Sequence, residues 1–88
     1  MTWKIEFTTK AEKDLKTLDR VDAKRILSFL RERVAPDPKV IGSQLKGQLR
    51  EFWRYRVGNY RVLAMIKDYH LLVLVVHVGH RKNVYSGH

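Results

Sequence analysis

Residues 52–85, FWRYRVGNYRVLAMIKDYHLLVLVVHVGHRKNVY, read as three strands in succession, joined by two tight turns and ending in a basic, aromatic tail. Gly58-Asn59 is a two-residue hairpin signal, because glycine at the first loop position supplies the positive φ of a type II′ turn. That turn sets a register in which Val57 pairs with Tyr60, Arg56 with Arg61, Tyr55 with Val62, Arg54 with Leu63 and Trp53 with Ala64. Side chains alternate between the faces of a sheet, so Trp53, Tyr55, Val57, Tyr60, Val62 and Ile66 share one face, a core, and Arg54, Arg56 and Arg61 share the other.

Like charges directly opposite across a ladder cost up to about 1 kcal/mol, which folding alone does not explain for Arg56 facing Arg61. An anionic ligand would account for the pair. So would a solvated basic face whose guanidinium groups splay apart and are screened by salt.

The second turn, around Lys67-Asp68-Tyr69-His70, predicts Ile66 opposite Leu71 and Lys67 opposite His70, which sets Val76 beside Arg61. Leu71 to Val78 is the most apolar strand, with only His77 polar, as in a central strand covered over most of both faces. Its carboxyl end then carries Gly79-His80-Arg81 towards the Gly58-Asn59 turn, and Arg54, Arg56, Arg61 and Arg81 converge with Tyr85 at one end of the sheet.

Eighty-eight residues fit one domain, 1–88, with a modest core. Eighteen Lys and Arg against nine Asp and Glu give a net charge of +9. That exceeds the magnitude of about 2–8 that solubility asks of a small domain, and it points to a polyanionic partner. Nucleic acid fits better than a membrane surface, because the basic residues alternate with aromatics on strands rather than lining an amphipathic helix with bulky apolar anchors. The absence of cysteine excludes disulfides and thiolate metal sites. The amino-terminal stretch has no apolar signal-peptide core, and Leu71–Val78 is too short to span a bilayer, so a cytoplasmic protein is expected.

Trp3, Ile5 and Phe7 alternate with polar residues, the period of a short half-buried strand. Thr9-Lys10-Ala11-Glu12 has the spacing of a capping box, so a first helix is expected to start at Thr9, with Ala11, Leu15 and Leu18 on its apolar stripe. Asp19 or Asp22 can cap a second helix, whose stripe is Ala23, Ile26, Leu27, Leu30 and Val34 and which Pro36 ends. Residues 36–50 contain both prolines, Gly42 and Gly47, and read as a loop with at most a helical turn. Lys24, Arg25, Arg31 and Arg33 are read as a solvated face. The helical pair has one apolar face and the sheet needs one covered, which gives an α+β fold: a first strand and an α-hairpin packed on one face of a small antiparallel sheet.

Leu45-Lys46-Gly47, Trp53-Arg54-Tyr55-Arg56, Gly58-Asn59-Tyr60-Arg61-Val62-Leu63 and Val78-Gly79-His80-Arg81-Lys82-Asn83-Val84-Tyr85, in that order and spacing, resemble the RelE/ParE superfamily of small bacterial toxins from toxin–antitoxin pairs. The resemblance covers nearly the whole chain and implies the order β-α-α-β-β-β. RelE-type members are messenger RNA endonucleases acting in the ribosomal A site, and the resemblance implies no metal and no bound cofactor. It also implies a cognate, RelB-like antitoxin. Carried over by position, it makes Arg61, Arg81 and Tyr85 the catalytic residues and sets Arg54 and Arg56 on the RNA backbone; beside them His80 and Lys82 are read as supporting RNA contacts, and Lys46 as either part of a phosphate-binding rim or a solvated loop lysine. Two departures stand out. Arginines occupy the two second-strand positions where the E. coli-type RelE has lysines, and the chain ends three residues after Tyr85.

Metal-free cleavage would proceed by attack of a 2′-hydroxyl on its own phosphate, a reaction helped by removal of the 2′ proton, stabilisation of charge on phosphorus and protonation of the leaving oxygen. Guanidinium groups suit the second task, because their donors match phosphate oxygens bidentately. His80 is the histidine beside this motif and the candidate acid, imidazole being the side chain suited to that role, whereas His77, inside an apolar run, reads as a core residue with a hydrogen-bond partner. The alternative on the same fold is a ParE-like toxin that inhibits DNA gyrase and cleaves nothing.

Overall fold

The computed structural model describes residues 2–80. Strand β1 (Lys4–Phe7) leads into helix α1 (Thr9–Lys16), then α2 (Arg20–Phe29), which runs on as a π-helical turn over Leu30–Val34. A one-turn helix α3 (Pro38–Ile41) and a two-residue strand β2 (Ser43–Gln44) follow. The chain closes with β3 (Phe52–Val57), β4 (Tyr60–Lys67) and β5 (Leu72–His80). The sheet has five strands in the order β1-β5-β4-β3-β2. Among the described residues, no helix is long and apolar enough to cross a membrane.

The β3–β4 pairing is the one the turn dictates, from Val57 opposite Tyr60 to Trp53 opposite Ala64. Gly58 has φ +61 and Asn59 is not among the residues with positive φ, as a type II′ turn requires. The alternating face is buried as expected: Tyr55, Val57, Val62 and Ala64 join Val73, Val75 and Val78 under Ala11, Ile26, Leu30 and Val34 from the helices. Each large aliphatic side chain removed from water there contributes about 1.5–3 kcal/mol.

Four expectations need correction. First, α1 is capped by Thr8, not Thr9: the Thr8 hydroxyl accepts from the Ala11 N–H at 3.1 Å. Thr8 is still tied to the sheet through its own N–H to the Val75 carbonyl (3.0 Å), so the helix starts from the last residue the ladder holds. Second, the sheet is mixed, because β1 pairs with β5 in parallel.

Third, residues 36–50 are not merely a loop. β2 pairs antiparallel with β3, Ser43 opposite Arg54, and the Gln44 side chain donates to the Arg50 carbonyl at 2.8 Å. Tyr55 fixes this segment from below by donating to the Pro38 carbonyl at 2.8 Å, and burial pushes its phenol pKa up. Gly42 lies against the Tyr55 ring, where an added Cβ would come within 2.5 Å of it.

Fourth, β5 is displaced. Ile66 faces Val73 rather than Leu71, and Arg61 faces Gly79 rather than Val76. The turn is longer than two residues: Asp68–His70 form a 3₁₀ turn and Leu71 takes a left-handed conformation, φ 47. A non-glycine residue there costs about 1–2 kcal/mol. β1 helps hold it, since the Lys4 N–H donates to the Leu71 carbonyl at 2.8 Å. The remaining offset comes from a β-bulge opposite Leu63/Ala64, where β5 inserts one extra residue, Val76.

Candidate functional site

The bulge decides what stands beside Arg61. Had the register of Ala64–Val75 continued unbroken, Val78 would face Arg61; with the extra residue, Gly79 does, and that flank of Arg61 carries no side chain. On the other flank is Arg56. The two arginines differ in setting: Arg56 is exposed, while Arg61 keeps only 7% of its surface and is a buried charged side chain. Arg56 is thus open to solvent and to a ligand alike, whereas the burial of Arg61 does not fit a merely solvated face. An arginine does not give up its proton on burial, so Arg61 is a fixed positive charge set into the end of the sheet. Arg54, half-buried, lies on the same face one pleat further along β3. The strands β3, β4 and β5 contain no Asp or Glu.

The bulge and the end of β5 are clasped from α1. Asp14 Oδ2 accepts from the Val78 N–H at 3.1 Å and lies 2.7 Å from His77 Nδ1, and Lys10 Nζ donates to Oδ1 at 3.0 Å. Burial alone would raise the Asp14 pKa, but the Val78 amide, Lys10 and His77 outweigh it and hold the carboxyl below the usual carboxylate range. His77 thus has the hydrogen-bond partner its place in an apolar strand requires.

His80 sits apart from the arginines. It pairs with Tyr60, and Tyr60 shares the helix-covered face with Val57, so alternation puts His80 on the side of the sheet opposite Arg61. The Tyr60 and His80 rings meet edge to face with centroids 5.6 Å apart. The Tyr60 hydroxyl donates to Asp22 Oδ2 at 2.9 Å, and that acceptor raises the Tyr60 pKa. Lys46 is exposed and follows Leu45, whose N–H bonds the Phe52 carbonyl, at the end of β3 remote from the Gly58 turn. The fold thus brings Arg54, Arg56 and Arg61 together and leaves Lys46 and His80 elsewhere. Arg81, Lys82 and Tyr85 lie outside the described residues.

Sequence reasoning gave Asp14 no role, read Asp22 only as a helix cap and put Arg25 on a solvated face. An added Cβ at Gly58 would lie 3.3 Å from Arg25 Nη1, so this cation from α2 stands over the hairpin turn rather than merely in solvent. It also missed a cavity of about 360 Å³ at the outer edge of β3, lined by Phe29, Ile41, Ser43, Arg54 and Arg56. No cluster of three or more His, Cys, Asp or Glu side chains able to hold a metal ion occurs among the described residues.

A family model described as the ParE toxin of type II toxin–antitoxin systems, parDE, matches residues 5–85. Toxin RelG of Mycobacterium tuberculosis is 31% identical over 85 residues, covering 97% of this chain and 98% of the relative. The fold superposes on the toxin–antitoxin complex RelBE2 of M. tuberculosis with a TM-score of 0.88 at 29% identity, covering 94% of this chain and 95% of that one. Isolated E. coli RelE shares the fold at a TM-score of 0.76 and 24% identity, covering 96% and 92% of the two chains.

Proposed function

This chain belongs to the RelE/ParE superfamily of toxins of type II toxin–antitoxin systems, and we propose that within it the protein is an endonuclease that cleaves messenger RNA on the ribosome. The observation that carries the reading is Arg61: a guanidinium set into the sheet end, with the exposed Arg56 on one side and the side-chain-free Gly79 on the other. A permanent charge in a partly desolvated site acts more strongly on a phosphate than one in open solvent.

In the proposed reaction the 2′-hydroxyl oxygen attacks the adjacent phosphorus and loses its proton to a base. The bond from phosphorus to the 5′-oxygen breaks, and that oxygen takes a proton, leaving a 2′,3′-cyclic phosphate and a 5′-hydroxyl. Arg61 and Arg81 hold the phosphate oxygens as charge builds on them. Arg54 and Arg56 position the RNA backbone, and Tyr85 stacks on a base or exchanges a proton. The partner is a cognate antitoxin of RelB type, acidic and partly disordered, which folds over the basic face on binding.

The second reading, inhibition of DNA gyrase without cleavage, is favoured by the ParE description of the matching family. Expressing the chain in cells and mapping the 5′ ends of transcripts, beside a gyrase supercoiling assay in vitro, separates the two. New 5′ ends within translated codons with unimpaired supercoiling are expected. Blocked supercoiling with intact messages would replace this reading with the second.

A further inference from the structure

Resting on the nuclease reading, we propose that the cavity at the outer edge of β3 is a subsite for a nucleotide of single-stranded RNA beside the one being cut, with the base on Phe29 and the phosphate on Arg56. Its volume of about 360 Å³ lies in the range of small-ligand sites, about 300–1,000 Å³. Five residues line it, among them one aromatic ring, two guanidinium groups and one hydroxyl, with no carboxylate.

The sheet adds donors of its own. Ladder bonds alternate along a strand: Phe52 accepts from Leu45, and Arg54 pairs with Ser43, so alternate residues of β3 turn their main-chain groups towards β2. Arg56 is the next in that series. β2 begins at Ser43, so no strand residue pairs with Arg56, and alternation turns its N–H and C=O towards the β2 side of β3, the edge at which the cavity opens. A phosphate there meets the Arg56 amide and guanidinium together. One residue's worth of edge is too short for an added protein strand, which needs several ladder bonds, whereas it suffices for a single phosphate.

Phe29 completes the site. The ring is half-buried, with the Arg33 guanidinium carbon 6.0 Å from its centroid, so a base stacking on it also approaches a cation. Arg56 stands directly opposite Arg61, which joins this subsite to the proposed scissile phosphate across one strand spacing.

The test is an amide and aromatic NMR titration of the ¹⁵N,¹³C-labelled full chain with an uncleavable 2′-O-methyl trinucleotide. The Arg56 and Ser43 amides and the Phe29 ring are expected to shift saturably along with Gly79. Phe29→Leu, with the fold checked by its unchanged hairpin amides, should weaken binding about tenfold. Ser43→Ala, at an exposed position that cannot disturb the core, should weaken it about fivefold. Shifts at Gly79 with none at Arg56, Ser43 or Phe29 would overturn the subsite and leave the nuclease reading standing. No shift anywhere at millimolar trinucleotide would likewise overturn the subsite, while the nuclease reading is decided separately by the mapped 5′ ends. Shifts at Arg56 only with an antitoxin peptide would assign this edge to protein and overturn the subsite.

Discussion

The β3–β4 hairpin and strand β5 belong to the same sheet, yet their registers come from different sources. In the hairpin, a glycine in a left-handed conformation and two alternating runs decide every pair within fourteen residues of sequence, 52 to 65. β5 is positioned from outside itself: by Leu71 in an unfavourable conformation, by β1 alongside it and by Asp14 reaching from α1 to the Val78 amide. Local turn chemistry is readable in a sequence, because its cause and its effect are neighbours. A bulge held by a side chain 64 residues away is not.

The largest effect is expected at the hairpin's anchor. Gly42→Ala places a methyl within 2.5 Å of the buried Tyr55 ring and should destabilise the fold by about 3 kcal/mol, read as a shifted midpoint in urea. The effect should be global, because Tyr55 sits in the common core.

Asp14→Ala acts on β5 instead. It leaves the Val78 N–H without its acceptor at a cost of about 1–3 kcal/mol. Hydrogen exchange should quicken at the end of β5 and not in residues 53–57; uniform quickening would show that the bulge is not locally clasped. Gly58→Ala tests the other side. The left-handed conformation and the 3.3 Å approach to Arg25 together should cost about 1–2 kcal/mol, with the β3–β4 register retained by NMR.

The smallest effect is in pH. The folded state holds the Asp14 pKa below its unfolded value, so the clasp's stabilisation is complete above the unfolded carboxylate range. It is lost as pH falls through the folded pKa. Acid titration of Asp14→Asn should therefore show a shallower loss of stability below about pH 4 than the parent chain.

The same distinction explains which parts of the site were legible. Arg54, Arg56 and Arg61 follow from the hairpin alone, so their shared face was readable. The neighbour of Arg61 was not, since placing Gly79 there needs both the 3₁₀ turn and the bulge, and Tyr69-His70-Leu71 offers no glycine to announce a left-handed residue. His80 was expected beside the arginines because it adjoins them in sequence, yet strand alternation turns it to the Tyr60 side. β2 escaped notice because two residues have no period. The cavity at Phe29 joins residues from α2, α3, β2 and β3, and no single stretch signals it.

In the proposed reaction Arg61, and not bulk positive charge, carries the activity. The most direct measurement is single-turnover cleavage of ribosome-bound message by the parent chain, Arg61→Ala and the control Lys13→Ala, each with its fold verified by the hairpin amides. Arg61→Ala should slow cleavage by about 10²-fold or more, the scale for losing a donor to developing charge, while Lys13→Ala should stay near the parent rate. Equal losses in both variants, or a parent chain that leaves the message intact, would contradict the account.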